Sequence, residues 1–275
     1  AVILPFISEA KASALIRNLL DVGLDHDALT YARRLSIENP DADFARAIEL
    51  QTLYELGRAD EATVLAKELK ELPSSGPLAM YWAARVLLKW GADHEDVVQT
   101  VDRAVQLGTP SSKVKGIIAK SEARIGRTAA HAGQFAEAVN WLRRSLDTEA
   151  DINVLSDLID CLLEANEADA AVTTARTCLA NHSFDKLRPD VLVQLGKALR
   201  YSLKLEEAKA VLEQAATYPL VKQAPEAILA DTLELLGEAD EAIRFLTGRA
   251  TTAEGCRRVA TPLYYLNLLR GRMAE

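Results

Sequence analysis

A turn residue recurs along this chain at intervals close to 34 residues, and alanine usually follows it five positions later. A period of this length in helix-forming sequence predicts stacked helical hairpins, because a single hairpin cannot bury its apolar face alone. The intervals between neighbouring turn positions are 34, 34, 42, 33, 37, 34 and 34 residues. The turn positions are Gly23, Gly57, Gly91, Gly133, Asn166, Leu203 and Gly237, and Gly271 opens an eighth unit.

Each unit is predicted to contain one helix that ends at the turn residue and a second that begins one or two residues after it. Pro40 ends the second helix of the first unit, because proline lacks an N–H donor and restricts its predecessor. Pro189 and Pro225 lie near the starts of later helices, where a missing donor matters least, and Pro219 closes the sixth hairpin. The predicted helix pairs span 8–22 and 25–38, 42–56 and 59–71, 77–90 and 93–107, and 152–165 and 168–181.

Two units depart from the pattern. The third has Asp96 where alanine is expected, and the sixth has Leu203 at a turn that favours Gly or Asn. The fourth unit is longer than the others by eight residues, which is about two helical turns. We place this excess in its first helix, at residues 112–132.

The turn segments resemble those of the tetratricopeptide repeat (TPR) family. Its Gly-x-[aromatic or small]-x-Glu-Ala turn is similar to residues 57–62, 133–138 and 237–242, and Gly126 and Gly196 resemble the small residue of its first helix. The resemblance covers essentially the whole chain. It implies an all-α, right-handed superhelical solenoid of about seven to eight antiparallel helix hairpins through residues 1–275, and we expect this array to be a segment of a longer protein.

Composition and charge exclude several function classes. The net charge of −8 and the pI of about 5.2 argue against a general nucleic-acid binder, which needs excess Lys and Arg to neutralise phosphates. No apolar run approaches the roughly 18 residues of a membrane span, so no membrane insertion is expected. We predict a cytoplasmic protein, and a periplasmic location stays open as the alternative.

The three cysteines contain no CxxC pair. An odd number of thiols makes a disulfide framework improbable, so we expect reduced, buried thiols at Cys161, Cys178 and Cys256. The histidines His26 and His94 occupy equivalent turns, which indicates exposed capping positions and no metal site. Because no Gly-rich phosphate loop, HExxH or GxSxG motif occurs, we predict no enzyme activity, no cofactor and no metal.

The resemblance implies that first helices line a concave surface, with the residue six positions before each turn facing the groove. Several of these residues and their neighbours are basic or aromatic. We therefore predict that an acidic or carboxylate-bearing peptide binds there, although these charges are equally consistent with ordinary solvated or locally paired helix positions. The predicted partner-binding residues are Arg17, Gln51, Tyr54, Tyr81, Arg85, Arg127, Lys197 and Arg200.

Two function classes remain. The first is a non-catalytic protein–protein interaction scaffold, or adaptor, that binds a peptide or protein segment in the groove. The alternative is the acceptor-recognition repeat region of a larger bacterial enzyme, such as a glycosyltransferase or sulfotransferase. Self-association into a homo-oligomer is a further possibility, because a terminal hairpin leaves apolar surface exposed.

Overall fold

The computed structural model describes residues 8–218, 224–250 and 253–269. Within these ranges the regular elements are fifteen α-helices and one 3₁₀-helix, without a strand. The chain divides into two compact units, residues 1–125 and 126–275. Pro219 and the predicted eighth turn at Gly271 lie outside the described residues.

Helices alternate with short connections throughout both units. In order they are α1 (Glu9–Asp21), α2 (Asp25–Glu38), α3 (Asp43–Glu55), α4 (Ala59–Glu71), α5 (Pro77–Lys89), α6 (His94–Gln106), α7 (Ser111–His131), α8 (Phe135–Thr148), α9 (Ile152–Glu164), α10 (Ala168–Ala180), α11 (Arg188–Tyr201), α12 (Leu205–Ala216), α13 (Pro225–Leu235), α14 (Ala239–Arg249) and α15 (Ala253–Leu269). The predicted all-α array of antiparallel hairpins is confirmed. The predicted helices begin and end within about one residue of these bounds.

The long fourth unit owes its length to its first helix, as predicted. Helix α7 has 21 residues, whereas α3, α5 and α9 have 13 each. The longer interval before Leu203 has another origin. The 3₁₀-helix His182–Leu187 precedes α11 and buries Phe184, so the additional residues there form a packed connection that the spacing did not predict.

The turns reverse the chain through one residue in the left-handed region. Both non-glycine turn residues adopt it, with φ of +60° at Asn166 and +58° at Leu203. After α11, the Leu203 N–H donates to the Arg200 carbonyl and the Lys204 N–H donates to the Leu199 carbonyl. This pair of bonds satisfies carbonyls at the helix end. Leu203 therefore forms the same turn as the glycines, at the position where the sequence departed from the pattern.

The other departure is resolved by a turn one residue longer. Helix α6 begins at His94, three positions after Gly91, whereas the other second helices begin two positions after their turn residue. Val97 consequently takes the fully buried position that alanine holds elsewhere. Asp96 instead accepts a 2.6 Å hydrogen bond from Lys70 on α4.

Within each unit the hairpins pack by one rule. The first helix of a hairpin contacts its own second helix and the first helix of the next hairpin, as α3 does with α4 and α5, and α11 does with α12 and α13. Small residues permit the close approach inside a hairpin. A Cβ atom on Gly126 would lie 2.7 Å from Cγ of Leu142, and one on Gly196 would lie 2.4 Å from Cγ of Leu212. The predicted role of these two glycines is thus supported by the packing.

Candidate functional site

Aromatic and basic side chains gather where α3 packs on α5 in the first unit. Tyr81, Arg85 and Lys89 are spaced four residues apart on α5, so they follow one face of that helix. Tyr54 projects from α3 toward them, and Trp82 completes the group. We call these five residues, Tyr54, Tyr81, Trp82, Arg85 and Lys89, the α3–α5 cluster.

Three aromatic rings surround the Arg85 guanidinium. Its central carbon lies 4.3 Å from the ring centroid of Trp82, 5.0 Å from that of Tyr54 and 5.8 Å from that of Tyr81. Each contact is within the range of a cation–π interaction. The Tyr54 and Trp82 rings also meet edge to face, with their centroids 5.8 Å apart. The rings therefore hold both the position and the orientation of the guanidinium.

Lys89 adds a second positive charge one helical turn further along. Its Nζ atom lies 3.8 Å from the Tyr54 ring centroid and 4.8 Å from that of Trp90. It also donates a 3.0 Å hydrogen bond to the Tyr54 carbonyl at the end of α3, where the helix dipole favours a cation. Lys89 is exposed, and an ammonium has three donors, so it retains capacity for an incoming acceptor.

Arg85 and Lys89 differ in their neutralisation from the predicted cations of the second unit. In the part of the chain that the structure describes, neither forms an ion pair with a carboxylate, and α5 itself contains no Asp or Glu. Within the described ranges, the contacts of both charges are with aromatic rings and a backbone carbonyl. An unneutralised cation in a chain of net charge −8 is available to an external anion.

The predicted cations of the second unit are paired with carboxylates of neighbouring first helices. Arg127 donates to Asp157 at 2.6 Å, and Arg200 lies 3.4 Å from Asp231. Lys197 donates to Asp160. The interpretation of these three as locally paired helix charges therefore holds. The structure brings together Tyr54, Tyr81 and Arg85 among the predicted residues, and places Arg127, Lys197 and Arg200 in these separate ion pairs.

The remaining predicted residues, Arg17 and Gln51, line a different cavity of the first unit. It has a volume of about 530 Å³ and lies among α1, the start of α2 and α3. Carboxylates share its walls with Arg17, so its charge is mixed. Its lining residues are Ser13, Ile16, Arg17, Leu20, Asp21, Asp25, Ile48, Gln51, Glu55 and Leu56.

Two sequence expectations about polar residues need correction. Cys161 and Cys178 are buried free thiols as predicted, but Cys256 is exposed, because it lies on the solvent side of α15. Nor is His94 an exposed capping residue, since its Nδ1 atom lies 3.0 Å from the Ser121 hydroxyl on α7. Burial raises the pKa of Cys178 to about 11 and also raises the pKa of Cys161.

Sequence reasoning missed Lys89 and Trp82 as members of the site. Trp82 is buried in the core of the first unit, and its ring also forms a cation–π contact with Arg85. The available signal was the four-residue spacing from Tyr81 to Arg85 and on to Lys89. Among the residues described, no group of His, Cys, Asp or Glu is arranged to hold a metal ion, and no helix is both long enough and apolar enough to cross a bilayer.

Tandem antiparallel hairpins with a left-handed turn and small residues between paired helices define the class of helical-repeat proteins. No protein-family model matches the sequence, and no curated protein matches it. Solved structures do resemble it. The C-terminal part of a TPR repeat-containing protein from Cytophaga hutchinsonii aligns with a TM-score of 0.57 and 15% identity, over 90% of this chain and 98% of that one. This likeness shows that the chain has the TPR fold.

Two further structures are similar at lower scores. YrrB, described as a TPR protein with an unusual peptide-binding site, aligns with a TM-score of 0.42 and 16% identity, over 78% of this chain and 97% of that one. The complex of Naa15/Naa10 bound to HypK-THB aligns with a TM-score of 0.43 and 14% identity, over 97% of this chain and 42% of that one.

Proposed function

We propose that this protein is a non-catalytic interaction scaffold whose α3–α5 cluster binds an acidic, carboxylate-bearing protein segment. The observation that carries the proposal is the environment of Arg85, a guanidinium held against three aromatic rings without a carboxylate partner among the described residues. A carboxylate supplied by a partner completes this environment.

The aromatic rings prepare Arg85 for binding. A free arginine side chain loses rotamer freedom when it binds a ligand, and this loss opposes association. Contacts with Trp82 and Tyr54 restrict the Arg85 side chain before the ligand arrives. The planar guanidinium then presents donors that match a carboxylate in two parallel hydrogen bonds. Lys89 supplies a second, more mobile charge nearby.

The ion pairs of the second unit are less suited to the same task. An external carboxylate would have to displace Asp157 from Arg127, or Asp160 from Lys197, and the displaced carboxylate would remain close by and repel the ligand. Binding at Arg85 displaces no carboxylate of the residues that the structure describes. We therefore rank Arg85, with Tyr54 and Tyr81, above Arg127, Lys197 and Arg200, and above Arg17 and Gln51 because carboxylates share the cavity that these two line.

Fluorescence anisotropy with a labelled eight-residue peptide of alternating Glu and Ala tests this function. The full chain should bind the peptide at low salt and lose affinity as salt screens the charges. Arg85→Glu should weaken binding by about tenfold or more, which corresponds to roughly 1.4 kcal/mol. A matched peptide with Gln in place of Glu should bind weakly to every variant.

Arg127→Glu is the control variant, because Arg127 lies at the equivalent register position but is already paired with Asp157. It should leave the affinity for the Glu peptide within about twofold of that of the unmodified chain. Equal weakening by Arg85→Glu and Arg127→Glu, or equal binding of the Glu and Gln peptides, would contradict the proposal. Self-association, a cytoplasmic location and a flanking catalytic domain stay predictions.

A further inference from the structure

An apolar cleft of about 500 Å³ borders the α3–α5 cluster in the first unit. It lies between the start of α5 and the connection that leads from α6 into α7. Two prolines, a leucine and a tyrosine make its walls predominantly apolar. The lining residues are Pro77, Leu78, Tyr81, Gly108, Thr109, Pro110 and Lys113.

Hydrogen bonds hold the walls of this cleft in place. The Thr109 hydroxyl donates a 3.0 Å bond to the Pro77 carbonyl, which ties the connection between α6 and α7 to the start of α5. The backbone N–H of Leu78 donates to Asp43 at 2.8 Å. The cleft is consequently formed before any ligand binds, so little conformational entropy remains to be lost on its side.

Tyr81 joins the cleft to the cationic cluster, because it lines the first and contacts Arg85 in the second. Arg85 lies about 6 Å further along α5 than Tyr81, and Lys89 about 12 Å further, since a helix rises 1.5 Å per residue. An extended peptide advances about 3.3 Å per residue. Two to four peptide residues therefore cover the distance from the cleft to the two cations.

One cation lies at the cleft itself, and the helix that provides it is basic over its first turns. Lys113 lines the cleft, and the first ten residues of α7 contain Lys115 and Lys120 but no Asp or Glu. Neither α5 nor this part of α7 offers a carboxylate of its own, and the nearby Asp43 carboxylate of α3 is occupied by the Leu78 and Ala79 N–H groups. An apolar depression with Lys113 at its edge, and Arg85 and Lys89 further along α5, is complementary to a segment that carries an apolar side chain beside acidic residues.

We propose that the cleft binds one large apolar side chain of the same segment whose carboxylates bind Arg85 and Lys89, with two to four residues between the apolar anchor and the carboxylates in either chain direction. The proposal rests on the proposed function and narrows its ligand. The ligand class is a short extended segment with a leucine-sized, methionine-sized or phenylalanine-sized anchor beside acidic residues. A pocket of this volume accepts any of these side chains. Acidity alone is not sufficient for full affinity.

A peptide array tests the spacing with the full chain as the probe. Each peptide contains two adjacent Glu residues and one Leu in a Ser–Ala background, with the Leu placed one to seven residues before or after them. Binding should be strongest at separations of two to four residues and should fall about fivefold or more when Leu is replaced by Ser. Equal binding at all separations would overturn the spacing.

Variants separate this inference from the function on which it rests. Leu78→Ser should remove the advantage of Leu-containing peptides and leave the weaker binding of the Leu-free Glu peptide unchanged. Val64→Ser, which removes an exposed apolar side chain on α4 away from the cleft, should change neither. Lys113→Glu reverses an exposed charge at the cleft and should weaken all acidic peptides. If Leu78→Ser lowers the folded fraction measured by circular dichroism, the comparison of Leu-containing and Ser-containing peptides on the unmodified chain tests the anchor.

The outcomes are distinguishable. If Arg85→Glu weakens the Glu peptide but a Leu-containing peptide binds no better than its Ser counterpart, the cleft is not an anchor site and the proposed function stands. If Leu-containing peptides bind better but Leu78→Ser has no effect, the anchor lies elsewhere and the inference is wrong. Failure of every acidic peptide to bind overturns the proposed function itself.

Discussion

The backbone of Gly196 on α11 lies so close to Leu212 on α12 that a Cβ atom at Gly196 would be 2.4 Å from the leucine Cγ atom. Real Cβ contacts are not this short, so the pairing requires glycine on one helix when leucine is on the other. Both residues are buried. Gly126 and Leu142 repeat the relationship at the same positions of the fourth hairpin, at 2.7 Å.

Gly196→Ala should therefore lower the free energy of unfolding by about 1–3 kcal/mol, because the added methyl group overpacks the hairpin. This direction is opposite to the usual effect of replacing a glycine inside a helix with alanine. Gly248→Ala is the matched control, since a Cβ atom there would meet no atom within 4 Å. Urea unfolding followed by circular dichroism should show a lower midpoint for the first variant and an unchanged or higher one for the second.

Leu203 should be a site of stored backbone strain. Its φ of +58° is disfavoured for a side chain with a Cβ atom, and the leucine is 78% exposed, so packing does not compensate. Leu203→Gly should raise the free energy of unfolding by about 1 kcal/mol. Asn166→Gly should have a smaller effect, because asparagine tolerates this region. A lower urea midpoint for Leu203→Gly would contradict the strain.

Asp43 should stabilise a helix in the next hairpin. Its carboxylate on α3 accepts hydrogen bonds from the backbone N–H groups of Leu78 and Ala79 at the start of α5, at 2.8 and 2.9 Å. Asp43→Ala leaves these donors without their acceptor and should lower the free energy of unfolding by about 1–2 kcal/mol. The neighbouring, exposed Asp41 is the control. If Asp41→Ala and Asp43→Ala have the same effect on thermal unfolding, the cap contributes nothing.

The three thiols should differ in reactivity. The pKa of Cys178, raised to about 11 by burial and by Asp147, leaves roughly one thiolate in a thousand at about pH 8. Because the thiolate is the reactive form, and because Cys161 is also buried with a raised pKa, only exposed Cys256 should react rapidly with a chromogenic disulfide reagent. Unfolding in urea should make the Cys161 and Cys178 thiols reactive, and Cys256→Ser should abolish the rapid phase of the reaction. Rapid labelling of that variant would be the contrary result.

The hairpin array could be predicted well from the sequence because the residues that specify each repeat act locally. The signals are left-handed turn positions, prolines at helix ends and periodic apolar positions. Each acts within a few residues, so each can be recognised without knowledge of long-range contacts. The exceptions have physical reasons. Asp96 occupies the position where the repeat predicts alanine, but one additional turn residue places Val97 in the packing position. Phe184 is buried by a 3₁₀-helix that has no counterpart in the other repeats.

The candidate site was only partly predictable. The resemblance placed Tyr54, Tyr81 and Arg85 in one set with Arg127 and other cations, and register alone could not rank them. The cations differ in whether a carboxylate from a neighbouring hairpin neutralises them. These carboxylates lie about 30 residues away in sequence from the cations. Their partners depend on side-chain rotamers and on which helices pack together.

What the sequence determined by itself is the succession of helices and turns, because backbone preferences and apolar periodicity operate over a single helical turn. What only the tertiary structure decided is which charges remain available. Arg85 rests on rings contributed by α3 and α5 without a carboxylate partner in the described ranges, whereas Arg127 is paired with Asp157 on α9. Electrostatic neutralisation depends on distances across packed helices, and those distances exist only in the folded chain.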